Sequence, residues 1–278
     1  MGASFEIRPL VIDGAKTSFK PEQANNIYLL VRGKKAVLVD GCYEHEQSRN
    51  LIASSLEGLE LTDILVTHFH PDHAESAAKI RERYGARLWA DPRETKIGKH
   101  VQLDEIDRPF LETDEVLETG AGIRLKSIKT PGHTLSHTCF FSEETGTLFT
   151  GDHVIGEGTP WVGPPHGNVK SYLESLQKCM TLPLQEIRGG HGPLVGDPQA
   201  KLKEYYEHRM MRERQILAEL DKGPVTIPAL VATIYKDVDP RVHGLAALVM
   251  RGHLDKLLSE GRVREYEDKG QARFEKKS

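Results

Sequence analysis

The stretch from Thr67 to His73, Thr-His-Phe-His-Pro-Asp-His, constrains this chain more than any other part of it. Three histidines and one aspartate fall within His68 to His73, directly after the apolar run Ile64-Leu65-Val66. That run reads as a buried strand, and a loop leaving a strand end can aim several side chains at one point. Neutral imidazole together with carboxylate is the ligand set of zinc and similar borderline metals. A solvated polar loop accounts for any one of these residues but poorly for all of them at this spacing. The chain is therefore expected to bury the strand in a sheet and to open a metal cradle at its end.

The flanking sequence supplies such a sheet. Phe5 to Ile12, Asn26 to Val31 and Ala36 to Asp40 alternate with turn signals, Arg32-Gly33-Lys34-Lys35 among them, and predict the start of a mostly antiparallel sheet. Glu44 to Gly58 has helical spacing, Asp63 to Thr67 is the strand that delivers the histidines, and His73 to Tyr84 predicts a helix closed by Gly85. Arg87 to Ala90 follows as a strand, completing a strand, loop, helix, strand layout. Residues 91–120 are acidic and contain proline, and support nothing finer than a short helix with a loop.

Ile123 to Ile128, Thr138 to Phe141 and Leu148 to Thr150 are strand-like, and polar clusters stand at the ends of these runs: Pro131-Gly132-His133-Thr134 and Thr150-Gly151-Asp152-His153. Val154 to Val169 is a long Gly/Pro-rich loop with Trp161, read as a rim of the site. Lys170 to Met180 predicts a helix, after which Ile187-Arg-Gly-Gly-His191-Gly-Pro is another strand end carrying a lone histidine. The composition shifts near Asp197, dividing the chain into 1–197 and 198–278. The second part reads as helices at 199–220, 227–235 and 242–259 with a terminal hairpin from Gly261, a small winged-helix-like α+β module.

Length and composition narrow the class. At 278 residues the chain can bury a real core, and its three cysteines, with no C-x-x-C pair, argue against a disulfide framework or a thiolate zinc site. No apolar run reaches the ~18 residues of a membrane span, and the start lacks a signal core, so a soluble, cytoplasmic protein is expected, or a mitochondrial matrix one if the source is eukaryotic. Gly2 is no myristoylation signal because Glu6 stands where Ser or Thr is needed. From Lys201 onward there are 16 Lys and Arg against 13 Asp and Glu, a mildly basic tail behind an acidic remainder. That asymmetry only weakly favours an anionic partner.

The five clusters His68-x-His70-x-Asp72-His73, His133, Asp152 and His191 resemble, in order and loop context, those of the metallo-beta-lactamase superfamily. The resemblance implies an α/β fold, a four-layer αββα sandwich, over residues 1 to about 197. It implies two Zn2+ per chain, with His68, His70 and His133 on one, Asp72, His73 and His191 on the other, and Asp152 bridging. Iron or manganese suit the same donors. The reaction implied is hydrolysis by a hydroxide held between the ions, since such a pair lowers the pKa of bound water to about 7. Asp72 would either act catalytically by orienting that hydroxide or serve only as a ligand.

Other histidines carry less. His137 and His153 are read as structural or as supports for ligand imidazoles, His166 as solvent-facing, and His45, His100, His208, His243 and His253 as ordinary residues. Asp152 stands where some zinc-dependent beta-lactamases place a cysteine, which argues against an antibiotic-degrading role, and His70 stands where flavodiiron-type members need an acidic residue.

The longest resemblance is to the beta-lactamase-like protein 2 group. It runs through Gly-Asp152-His-Val-Ile-Gly-Glu-Gly-Thr, Gly-His191-Gly-Pro, Tyr206-x-His208-Arg209-x-x-Arg212-Glu213-x-Gln215-Ile216-Leu217 and His253-Leu-x-Lys-Leu-x-x-x-Gly-Arg-Val263. It implies an endoribonuclease acting on single-stranded RNA. Related fungal members imply the alternative, a thioesterase, esterase or lactone hydrolase with a small acyl substrate. A non-enzymatic nucleic-acid-binding module with a structural metal is a third reading, disfavoured because structural zinc sites are usually closed and thiolate-rich. The tail would contact substrate or a second copy in a homodimer.

Overall fold

A computed structural model describes residues 4–12, 24–97, 101–237 and 239–277. His100 lies outside the described residues. The chain divides into two compact units, residues 1–130, 135–160 and 182–199 in the first and 131–134, 161–181 and 200–278 in the second.

The first unit is built on two sheets. A six-stranded sheet runs in chain order through β1 (Glu6–Ile12), β2 (Asn25–Arg32), β3 (Lys35–Val39), β4 (Glu60–Leu65), β5 (Arg87–Ala90) and β6 (Arg108–Pro109). The β1–β2–β3 part is antiparallel, but pairing from β3 to β6 is parallel, so the sheet is not the mostly antiparallel one its first strands suggest: the long connections after β3, β4 and β5 return each strand in the same direction. The second sheet is ordered β11 (Glu186–Gly189), β10 (Thr147–Gly151), β9 (Thr138–Ser142), β8 (Arg124–Lys129) and β7 (Glu115–Glu118).

Strand periodicity explains why the first sheet is covered on both faces. Successive side chains of a strand point to opposite faces. In β2, Ile27, Leu29 and Val31 enter one core with Ile52, Leu56 and Ile80, while Tyr28 and Leu30 enter another with Leu125, Phe140 and Phe149 of the second sheet. The first core includes Ile52 of α1 (Glu46–Ser55) and Ala77 and Ile80 of α3 (Ala77–Tyr84). A strand apolar on both faces, such as β2 or β4, is therefore a central layer.

The helix expected from His73 to Tyr84 is two helices, α2 (Pro71–Ala74) and α3. The Ser76 N–H donates to the Cys42 carbonyl at 3.0 Å, and the Glu75 carboxylate accepts from the Glu44 N–H at 3.1 Å. Tertiary partners thus claim groups near the break. Gly85 ends α3 in the left-handed region, φ +68°, as the sequence indicates. The described residues of this segment, 91–97 and 101–120, form two short 3-10 turns (Pro92–Lys96 and Leu103–Glu105) followed by β6 and β7, elements too short to leave a periodic signature.

In the second unit, α4 (Val169–Met180) is capped by Asn168, whose side chain accepts from the Ser171 N–H. Helices α5 (Pro198–Leu220), α6 (Ile227–Ile234) and α7 (His243–Ser259) lead to a hairpin of β12 (Val263–Asp268) and β13 (Gln271–Lys276). Their shared core contains Ile216, Leu230, Met250, Leu254, Leu257 and Phe274. No helix among the described residues is long and apolar enough to cross a membrane.

His253 of α7 is fully buried, and among the described residues neither ring nitrogen has a hydrogen-bond partner. Burial, reinforced by the charges of Arg209, Lys256, His208 and Arg212, pushes its pKa down to about 3. An unfolded histidine binds a proton below about 6.5. Between about pH 6.5 and 3 the unfolded chain therefore holds a proton that the folded chain rejects, and stability falls as pH falls. The His253→Leu variant is expected to lose about 2 kcal/mol less than the parent between pH 7 and pH 5, measured by urea unfolding. Equal losses would show that the folded protein accommodates the proton.

Candidate metal centre

The site is assembled from strand ends. After β4 the chain turns out of the sheet, and Thr67 is caught by Asp40, which stands at the end of the neighbouring parallel strand β3. Asp40 Oδ1 accepts the Thr67 N–H at 2.7 Å and Oδ2 accepts its hydroxyl at 3.0 Å. Asp40 itself is buried with φ +66°, a conformation uncommon for a residue with a side chain. Thr67 Oγ1 is also 3.0 Å from His68 Nδ1. With its own proton given to Asp40, the hydroxyl accepts from His68 Nδ1–H and leaves Nε2 as the ligand nitrogen. Phe69 anchors the loop in the core, and Pro71 starts the single turn of α2, which presents Asp72 and His73.

Asp40 reaches His73 as well, with Oδ2 2.8 Å from Nδ1. One carboxylate thus orients two imidazoles, directly for His73 and through Thr67 for His68. The sequence marks Asp40 only as the end of a strand. Nothing local reveals this role, because its partners are 27 and 33 residues away in sequence.

Asp152 follows β10 and His191 follows β11, parallel neighbours whose C-terminal ends coincide. Strand β2 steadies the His191 loop: Asn26 donates through its backbone N–H to the Gly190 carbonyl and through Nδ2 to the Gly192 carbonyl, both at 2.7 Å. The Tyr28 hydroxyl donates to the Gly189 carbonyl at 2.7 Å. His191 Nδ1 lies 3.0 Å from the Ala24 carbonyl, and His133 Nδ1 lies 2.7 Å from the Trp161 carbonyl. Each of these contacts fixes a tautomer with Nε2 left for a ligand position, the arrangement typical of metal-bound histidines.

All seven expected residues fall into two donor groups. His68, His70 and His133 form one, and Asp72, His73, Asp152 and His191 the other, with one ligand atom from each residue lying within 4.8 Å of the others in its group. His68 Nε2 is 3.0 Å from His70 Nδ1, and the His68 and His73 ring centroids are 4.2 Å apart. In the second group Asp152 Oδ1 is 3.3 Å from His73 Nε2 and 3.4 Å from His191 Nε2, and Asp72 Oδ2 is 3.2 Å from His191 Nε2.

The electrostatics are those of a cation host. Burial opposes charge on His73, yet Asp152, Asp72 and Asp40 raise its pKa well above the usual imidazole value. Burial also opposes charge on His191, and Asp152 and Asp72 prevail to bring it to about 10. Burial would raise Asp152, but the positive charges of His191 and His73 hold it well below the ordinary carboxylate range, and Asp72 moves down against burial through His73 and His191. Carboxylates concentrated here demand positive charge. Among the described residues His73 Nε2 is buried with no well-formed hydrogen bond although Asp152 Oδ1 lies 3.3 Å away, and an unmet buried polar atom costs roughly 1–3 kcal/mol. A divalent ion at that nitrogen removes the deficit, so the donor set fits a metal.

His137 and His153 join neither group. His137 is buried with Nδ1 2.9 Å from Thr130 Oγ1 and its ring 5.0 Å from that of His68, while His153 is buried 6.0 Å from the His137 ring. His45 caps α1 by accepting the Ser48 N–H.

Residues 21–191 match the metallo-beta-lactamase superfamily model, and residues 226–272 match the beta-lactamase associated winged helix domain. Two relatives are named beta-lactamase-like protein 2 homolog. The one from Drosophila melanogaster is 31% identical over 90% of this chain and 88% of its own length, and the one from Caenorhabditis elegans 34% identical over 81% and 75%. An atrochrysone carboxyl ACP thioesterase from Cryptosporiopsis sp. is 27% identical over 87% of this chain and 76% of its own. A beta-lactamase domain protein from Burkholderia ambifaria shares the fold at a TM-score of 0.85, with 21% identity over 100% of this chain and 95% of that one. With the clustered histidines and aspartates at the strand ends and a family match over most of its length, the chain belongs to the metallo-beta-lactamase superfamily of hydrolases, with a C-terminal winged helix.

Proposed function

We propose that this protein is a hydrolase working with two metal ions, zinc by the chemistry of its donors, and that it cleaves phosphodiester bonds of single-stranded RNA. The observation that carries the two-ion reading is the pair of adjoining donor groups. His68, His70 and His133 would hold one ion, Asp72, His73 and His191 the other, and Asp152 would bridge them. When bound, the ions supply Lewis acidity and a nucleophile drawn from water near neutral pH. Asp40 keeps His68 and His73 in the required tautomers, and Asp72, whose side chain is partly exposed, would either orient the nucleophilic water by accepting its hydrogen bond or serve only as a ligand. Iron or manganese would suit the same donors.

The RNA reading rests on likeness to the beta-lactamase-like protein 2 group and on the mildly basic C-terminal region. A second reading, hydrolysis of an acyl thioester, is favoured by the thioesterase relative and by two exposed leucines, Leu135 at 58% and Leu194 at 48%, which follow His133 and His191 closely in sequence. Exposed apolar side chains beside a polar site suit an acyl chain better than a phosphate backbone.

Zinc-loaded protein assayed in parallel on fluorescent single-stranded RNA, bis-p-nitrophenyl phosphate and acyl thioesters decides between them. RNA cleavage that weakens steeply with salt is the expected result, because phosphate contacts release counterions. Turnover of thioesters alone would replace the nuclease by the thioesterase. RNA binding without turnover of any substrate would leave a binding module.

A further inference from the structure

The short 3-10 turn Pro92–Lys96 lies in a segment whose sequence supports no fine assignment, and it carries Glu94, a carboxylate 1% exposed. Charged residues are rarely buried to this degree unless their oxygens are met. Glu94 Oε2 accepts the Phe69 N–H and Oε1 accepts the Ser136 N–H, each at 3.1 Å. Phe69 stands between His68 and His70, and Ser136 stands three residues past His133 in the loop leading to β9. One side chain therefore ties the backbone of the histidine-rich loop to the loop that carries the third histidine.

The turn that presents Glu94 is itself held. Asp91 caps it by accepting the Arg93 N–H, and Asp91 Oδ2 takes Lys129 Nζ at 3.1 Å from the end of β8. Lys129 is buried and donates also to Thr138 Oγ1 at 3.2 Å, at the start of β9. Pro92 fixes the first residue of the turn. The position of the Glu94 carboxylate thus follows from the second sheet, and the loops follow from Glu94.

We propose that Glu94 is a positioning residue of the metal centre, setting the spacing of the all-histidine donor group, while Asp40 orients imidazoles on the other side of the same loop. This rests on the two-metal reading above. The division of labour is specific: Glu94 grips the backbone on either side of which His68 and His70 project, and the backbone three residues past His133, so its loss should act on one ion and spare the other. A charged acceptor of two backbone N–H groups is also hard to replace. In Glu94→Gln one oxygen becomes an NH2, which faces an N–H donor and releases one of the two loops.

The test is stepwise titration of the metal-free full chain with Co2+, followed by visible absorption and by competition with a chelator, for the parent, Glu94→Gln and Glu94→Asp. Expected for Glu94→Gln is a loss of about 10- to 100-fold in the affinity of one of two binding steps, with altered absorption for that step and the other step unchanged. Glu94→Asp keeps the charge and retracts the oxygens by one methylene; it should show the same selective weakening, and it serves if the Gln variant fails to fold. Two parent-like binding steps in both variants, or equal weakening of both steps, would overturn the assignment. A parent protein that takes up no Co2+ would instead overturn the metal reading itself, so the two failures are distinguishable.

Discussion

Asp152→Ala is expected to lower kcat/KM by at least ~10³-fold on whichever substrate the protein hydrolyses, equivalent to about 4 kcal/mol of transition-state stabilisation. Asp152 Oδ1 lies 3.3 Å from His73 Nε2 and 3.4 Å from His191 Nε2, so it is the anionic centre of its donor group. If it also bridges the two ions, its removal strips an anion from both at once. Metal content should then fall from about two ions per chain to about one, and the rise in Tm on adding Zn2+ should shrink, because an ion stabilises only by its preference for the folded state. Full activity with two ions retained would remove the bridging role of Asp152. The metal-free variant also guards against a trivial explanation, since a Tm near that of the metal-free parent shows that the fold survived.

The donors of this site were legible in the sequence because the chemistry is local. His68, His70, Asp72 and His73 sit within one loop, and His133, Asp152 and His191 each stand among turn residues just past an apolar run. The apolar run Ile64-Leu65-Val66 likewise marked a buried strand, and the helical spacing of 199–220 and 242–259 matches the C-terminal helices to within a residue or two. The supports were not legible. Asp40, Asn26, Tyr28 and Glu94 act on backbone or ring atoms 25 to 167 residues away when their contacts with Thr67, His73, Phe69, Gly189, Gly192 and Ser136, and that of His191 with Ala24, are taken together. No window along the chain contains both partners of such a contact. The break between α2 and α3 was hidden for the same reason, since a distant carbonyl, that of Cys42, takes the Ser76 N–H.

The largest effect expected from the smallest change is at Gly190, the residue before His191. A methyl group there would lie 2.4 Å from His73 Cε1 and 2.9 Å from Asp152 Oδ1, far inside van der Waals contact. The backbone cannot easily withdraw, because the Gly190 carbonyl accepts the Asn26 N–H at 2.7 Å and its own N–H donates to the Gly151 carbonyl at 2.7 Å. The strain must therefore fall on His73, whose Nδ1 is held by Asp40, or on the loop carrying Asp152. Either movement displaces a donor, and displacements of about 1 Å in a catalytic constellation cost on the order of 10²-fold in rate. On the proposed two-ion reading, Gly190→Ala should accordingly lose the ion of the Asp72, His73, Asp152 and His191 group while keeping that of the all-histidine group. Equilibrium dialysis against Zn2+ would read this as about one ion per chain, with activity down by at least ~10²-fold. Full occupancy and parent-like turnover would mean that the His191 loop gives way more readily than its hydrogen bonds imply.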